Sequence, residues 1–443
     1  MPKVRRGSLV PVRAFASTLA LFALLGVRSA AAQDPAACAA SASWVNSPQM
    51  QLSVPAPEPF CAFHQFAWQN FLALIQNNGY LSFMPSINVF VSSGTPMPWT
   101  NQPNPLSLGQ IHKEAGDENP LIAQSGQMTQ FDIRMNRSFY NYIVQNQLWN
   151  TKGFNALCTA INPPTEKQDP QDPLGSLELK TAWLPMACDP RTNQYVCSSD
   201  RKYGLVGFHL VQKISDHQEW IWATFEHVGN APDCSALDSQ NPLGGPWTYY
   251  NGKHQPCGGP GQPVCSAALC SPACNVFQQT GGPSNVCRQT PIASDGTTGT
   301  GGGPLVVNLN QSVHSLLTNP QLLALKNYNL VGTLWFKPGL TAPPAKGSKN
   351  PPDGQIFIGS TELANTTMET YLQSTNCYSC HVTASFTFDY NKPGTAFGDA
   401  VSSEADFSHM FRIMQGPDPT NPCGASKQKA RVKLRMMSGH TGR

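Results

Sequence analysis

Near the end of the chain, the stretch STNCYSCHVTAS (374–385) sets two residues between cysteines and a histidine directly after the second: Cys377, Cys380 and His381. This spacing suits three kinds of chemistry. The thiols can pair or cycle as a redox couple. They can form half of a zinc site. Or they can add across the two vinyl groups of a haem, giving two thioethers, while the histidine behind them ligates the iron. A thioredoxin-type couple expects a βαβ setting, and a zinc site needs a second ligand pair of matching spacing. The sequence offers neither. Cys377 and Cys380 are therefore expected to attach a c-type haem, with His381 as the proximal ligand.

The group across the iron decides what such a haem would do. Methionine as sixth ligand raises the potential and favours electron transfer, whereas an open site favours binding or activation of a small molecule. ADFSHMFRIMQGP (405–417) supplies Met410 and Met414 four apart, with His409 beside the first. Met436 and Met437 lie in the tail, Met368 precedes the motif, and His227 comes from the other half of the chain. An open iron is a further alternative.

Haem is attached outside the cytoplasm, and the N-terminus agrees with export. Lys3, Arg5, Arg6 and Arg13 precede the apolar run AFASTLALFALLGV (14–27), which falls short of the ~20 residues needed to span a bilayer. SAAAQ (29–33) offers a cleavage site after Ala32. Loss of the five basic residues in 1–32 turns the formal charge from +3 to −2, which leaves no electrostatic footprint for nucleic acid. No later apolar run is long enough to cross a membrane, so the mature chain is expected in the periplasm or outside the cell. An oxidising compartment gives the other twelve cysteines a role as disulfides, up to six of them.

The elements that must position the motif are read from periodicity. PFCAFHQFAWQNFLALIQNN (59–78) carries Phe60, Phe63, Ala67, Phe71, Leu74 and Ile75 on one helical stripe, with His64 on its flank. RSFYNYIVQNQLW (137–149) predicts a helix capped by Asn136 or Ser138, and NPQLLALKNYN (319–329) another. Strands are predicted at 86–93, 130–136, 176–186 and 330–338. YGLVGFHLVQKI (203–214) and EWIWATFEHV (219–228) form the clearest hairpin. Alternation sets Ile221, Ala223, Phe225 and His227 on one face, joined by Val206, Phe208 and Leu210 under simple pairing. Trp220, Trp222, Thr224, Glu226 and His209 take the other. STELANTTMETYLQ (360–373), just before the motif, reads as a helix with a Ser/Thr cap. Residues 229–304 hold six cysteines with little periodicity, the mark of a disulfide-stapled loop region, and end in the linker-like SDGTTGTGGGP (294–304). The run from Gly424 is basic.

At these residues the chain resembles a c-type cytochrome, in particular a group of large secreted bacterial monohaem proteins. The stretches that carry the resemblance are WQNFLAL (68–74), LELKTAWLPM (177–186), EWIWATFEHV (219–228) and ETYLQSTNCYSCH (369–381), about a tenth of the chain. The resemblance implies covalent haem, iron and electron transfer, and no substrate. It gives TFEHV more weight as part of a haem pocket. The chain departs from a small cytochrome in having only 62 residues after His381 and no clear methionine-ligand loop.

The expected architecture is α+β: a β-rich, disulfide-stapled body over 33–340, after a signal peptide at 1–32, and a mostly helical haem c segment with a basic tail over 341–443. The expected function is electron transfer by an exported monohaem cytochrome that works with a redox partner protein. The alternatives are a haem oxidoreductase of peroxidase or oxygenase type acting on a small-molecule substrate, and a haem-based gas-binding protein. A serine hydrolase is disfavoured, because no G-x-S-x-G elbow is present.

Overall fold

The computed structural model describes residues 38–54, 60–91, 93–108, 119–150, 161–168, 170, 172–254, 270–279, 281–294, 302–336, 357–360, 362–374, 377, 381, 408, 410 and 411. The chain divides into Met1–Ala32 and Gln33–Arg443, and every described residue belongs to the second unit. The signal peptide, Cys380, His409, Met414, Met436, Met437 and the basic tail lie outside the described residues.

A seven-stranded antiparallel sheet runs in chain order. Its strands are β1 (Met84–Pro85), β2 (Gln130–Met135), β3 (Leu177–Pro185), β4 (Tyr203–Ile214), β5 (His217–His227), β6 (Tyr328–Phe336) and β7 (Phe357–Gly359). The helices are α1 (Ala42–Asn46), α2 (Phe60–Ile75), α3 (Arg137–Gln145) and α4 (Gly302–Leu316). The fold is α+β and stapled by disulfides. Among the described residues these join Cys38–Cys61, Cys188–Cys197, Cys234–Cys287 and Cys270–Cys274. No helix among the described residues is long and apolar enough to cross a membrane.

One face of the sheet carries α2 and α4. Nearly the whole circumference of α2 is buried, as expected of a helix apolar all round. Phe71 stacks on Phe225 with ring centroids 4.1 Å apart, and Trp68 meets Phe225 edge-on at 5.0 Å. The polar exceptions are satisfied across elements. Asn70 accepts from the Gln51 amide at 2.6 Å and donates to Gln212 at 2.9 Å.

Sequence reading misses α4, whose start lies in a glycine-rich stretch. Its signal is nonetheless present: Leu305, Val306, Leu309, Val313 and Leu317 recur at helical spacing and are fully buried in the same cluster as Phe71. Pro304 sits in the first turn, where its missing N–H breaks no intrahelical bond. Asn136 caps α3, accepting from the Phe139 amide at 3.3 Å.

Three predicted elements change form. The strand expected at 86–93 is a 3-10 turn at Ser86–Asn88, where the Ser86 carbonyl accepts from the Val89 and Phe90 amides and buries both side chains. The helix expected at 319–329 is a 3-10 turn, Pro320–Asn327, running straight into β6. The helix expected at 360–373 is a chain of tight turns over 362–374. Its Asn and Thr side chains take up the backbone groups a helix would use. Asn365 accepts from the Thr367 amide at 2.8 Å, and Thr370 donates to the Thr366 carbonyl at 2.7 Å.

A β-bulge also revises one face of the hairpin. Ala182 pairs with Gly207 and Trp183 with Leu205, leaving Val206 as the extra residue of β4. Leu205 thereby joins Phe208 and Leu210 in the helix-side core, and Val206 packs instead with Ala182 and Met368. One added residue moves a side chain to the opposite face, because strand side chains alternate.

Candidate functional site

The other face of the sheet carries the turns at 362–374, here called the strap, which leads directly into the cysteine motif. The strap lies flat because two strands give way to it. A Cβ on Gly207 would run into Thr367 Oγ1, and one on Gly332 would run into Ser360, just ahead of the strap, and crowd Leu363 within it at 3.0 Å. Sheet side chains then hold its polar groups. Asn365 donates to Thr224 Oγ1 and to the Phe225 carbonyl, both at 2.8 Å. The Thr366 amide and hydroxyl donate to one oxygen of Glu226 at 3.0 Å each, and its other oxygen pairs with Arg288. Arg288 also reaches Asp233 at 3.3 Å. Further along, Gln373 donates to the Cys287 carbonyl at 3.0 Å and accepts from the Gln289 amide at 3.0 Å. The strap is thus tied both to β5 and to the loop stapled by Cys234–Cys287.

Buried charges in this network are paired. Glu226 is 2% and Arg288 7% exposed, and burial pushes the Arg288 guanidinium down to about 10. Glu369 lies 3.5 Å from His209. Burial opposes the charge on Glu369, but His209, Lys180 and the Asn365 amide outweigh it and leave its pKa below the usual carboxylate value.

Beyond the strap, Cys377 and His381, four positions apart in the sequence, both have helical backbone. Cys377 packs against an apolar cluster built from Val211, Trp222, Leu334, Phe336, Met410 and Phe411, among others. The His381 ring meets Trp222 at 6.1 Å and an interplanar angle of 60°. Met410 is 2% exposed. The structure therefore gathers three of the sequence-derived candidates, Cys377, His381 and Met410, around one cluster. Cys380 and Met414 fall outside the described residues.

His227 is not brought to that cluster. It lies five positions after Trp222 on β5, an odd step, so it points to the helix-covered face. There it stacks on Tyr195 at 4.0 Å, faces the Gln194 carbonyl with Nε2 at 2.9 Å, and accepts from the Gly229 amide with Nδ1 at 3.2 Å. Both ring nitrogens are engaged, and burial lowers its pKa to about 4. His227 is a satisfied core histidine, and its place as the ligand opposite His381 is corrected by the alternation of its own strand.

The surroundings of Cys377 and His381 suit a large, flat, apolar group such as haem on two counts. The cluster is aromatic and aliphatic with a methionine. It also leaves a buried donor, Trp222 Nε1, without a partner. No group of three or more His, Cys, Asp or Glu side chains that could hold a bare metal ion occurs among the described residues.

Sequence reading places Trp222, Thr224 and Glu226 together on this face without giving them a task. It misses Asn365 and Thr366, whose partners on β5 lie 140 or 141 positions away, and Arg288, which pairs with Glu226 and Asp233 from other parts of the chain. Searches against known families, curated proteins and solved structures find no match for this chain.

Proposed function

We propose that the chain is an exported c-type haem protein that transfers electrons. Cys377 and Cys380 hold the haem through thioethers, and His381 is its proximal iron ligand. The observation that supports this reading is that Cys377 packs on the same buried apolar cluster that holds Met410 and Trp222, while the Trp222 ring meets His381, on the face where the strap leads into the motif. Met410, buried in the same cluster, would supply a second ligand to the iron. The bound haem supplies one-electron chemistry. The protein's own residues hold it: the cluster excludes water, the strap fixes the approach of the motif, and Trp222 limits the tilt of the His381 ring. Disulfides in the body speak for an oxidising compartment, which we take to be the periplasm or the extracellular space. The partner in this reading is a redox protein.

Covalent haem staining tests the attachment. It should be present in the wild type and absent in Cys377→Ala/Cys380→Ala; staining that survives the double replacement would end this reading. Adding CO to the ferrous protein tests the second axial position. No spectral shift is expected of a six-coordinate carrier, and Met410→Ala should then admit CO while replacement of His227 should not. Ready CO binding by the wild type would instead favour an oxidoreductase acting on a small-molecule substrate, or a gas-binding protein.

A further inference from the structure

The short segment ahead of α2 is anchored at both ends. Cys38–Cys61 bonds it to α2, Gln65 of α2 donates to the Ala39 carbonyl at 2.7 Å, and the Ala40 amide donates to Ser312 of α4 at 2.8 Å. Further on, the Gln51 amide donates to Asn70, and the Gln51 carbonyl accepts from Gln212 of β4 at 3.3 Å. Between these anchors, α1 and the turn after it border a cleft of about 300 Å³ against α2. That volume is at the low end of the range usual for small-molecule sites, about 300–1,000 Å³.

The walls include Ser43, Trp44, Ser47, Gln49, Gln51 and Gln69, and no charged side chain among the described residues lines the cleft. Trp44 is half-buried: it packs against the core cluster shared by α2 and α4 and also borders the cleft. Two amides are set in advance. Gln51 Nε2 donates to the Gln49 carbonyl at 2.9 Å and Gln69 Nε2 to the Gln65 carbonyl at 3.3 Å, which leaves both Oε1 atoms as acceptors. The Trp44 indole N–H and the Ser47 hydroxyl add donors. An anion would meet two amide oxygens here, and a cation would find no carboxylate. A sugar suits both kinds of group, because its hydroxyls donate as well as accept, and the C–H face of a pyranose ring packs on an indole. We propose that this cleft binds a neutral carbohydrate, with Trp44 as the platform and Gln51 and Gln69 accepting from ring hydroxyls. The site shares no residue with the surroundings of Cys377 and His381 and does not rest on the haem reading.

Titration of the full-length protein with cellotetraose, maltotetraose and chitotetraose, followed by saturation-transfer NMR, provides the test. At least one of these should bind, and Trp44→Ala should weaken that binding by about tenfold or more. Gln69→Ala removes one acceptor from the partly exposed flank of α2. It should weaken the same binding severalfold without moving the midpoint of urea unfolding. Silence from all of the named sugars overturns the proposal. So does binding that Trp44→Ala leaves intact, which would place the sugar elsewhere on the protein. If Trp44→Ala fails to accumulate, Gln69→Ala decides, and full affinity in that variant overturns the proposal.

Discussion

The two faces of the sheet are covered by different means. On one face, α2 and α4 satisfy their own backbones and meet the strands with side chains alone, such as Phe71 against Phe225. On the other, the strap has no regular hydrogen-bond ladder, so the strands must supply the polar partners: Thr224, Glu226 and His209. A helix asks mainly for an apolar surface, with a few polar links such as Asn70 to Gln212 and Asn310 to the Leu330 backbone. An irregular segment asks for a specific donor or acceptor at each turn, and in return is fixed in one position. A motif that holds a haem, as proposed, would gain from the second arrangement.

The largest effects should separate the faces. Phe71→Ala removes a fully buried ring and should destabilise the protein by about 3–5 kcal/mol in urea unfolding, with no early release of the strap. Glu226→Ala leaves Arg288 and both Thr366 donors without their carboxylate, a loss of about 3 kcal/mol. Here limited proteolysis should cut the strap before global unfolding, and Glu226→Gln should recover part of the loss. Equal protease resistance in the Phe71 and Glu226 variants would erase the distinction.

Acid should distinguish the faces next. On the helix-covered face, burial lowers His64 to about 3 and His227 to about 4. The unfolded chain protonates near 6.5 while the fold does not. Stability is therefore full above pH 6.5 and falls below it, by about 1.4 kcal/mol per pH unit for each histidine until its folded pKa is reached. The strap face answers later. Glu369 has its pKa lowered from 4.5, so its contribution is present above pH 4.5 and lost below it. His64 has neither ring nitrogen partnered. His64→Leu should reduce the slope between pH 6.5 and 4 without loss of stability at pH 7. An unchanged slope would refute the assignment.

The smallest expected effect is Gly207→Ala, which pushes a methyl group into Thr367 and should cost about 1–3 kcal/mol. Gly244 has open space around its Cβ position but a φ of +75°, so alanine there should act through backbone strain without loosening the strap.

Much of the sheet was legible in the sequence. The arms of the β4–β5 hairpin and the separation of Trp222 from His227 follow from alternation, a local property of the chain. The helical stripe of α2 and the Asn136 cap are local as well. Less legible were the elements whose form depends on distant partners. The strap reads as a helix because its residues tolerate one, yet Asn365 and Thr366 find better acceptors on β5, about 140 positions earlier. Val206 changes face because of an extra residue opposite β3, which no periodicity within β4 reveals.

The sequence by itself determined the chemistry on offer: a Cys377–Cys380–His381 spacing that suits thioethers and an iron ligand, cysteines suited to an oxidising compartment, and strands that sort their side chains by parity. Tertiary structure alone decided the company those residues keep. It turned His227 away into a satisfied core position, set Cys377 against the cluster that holds Met410 and Trp222, and placed Glu226 and Arg288 to hold the strap. The physical reason is range. Spacing along a chain fixes which residues share a face, but which face meets which segment depends on hydrogen-bond and packing partners that only the folded sheet brings together.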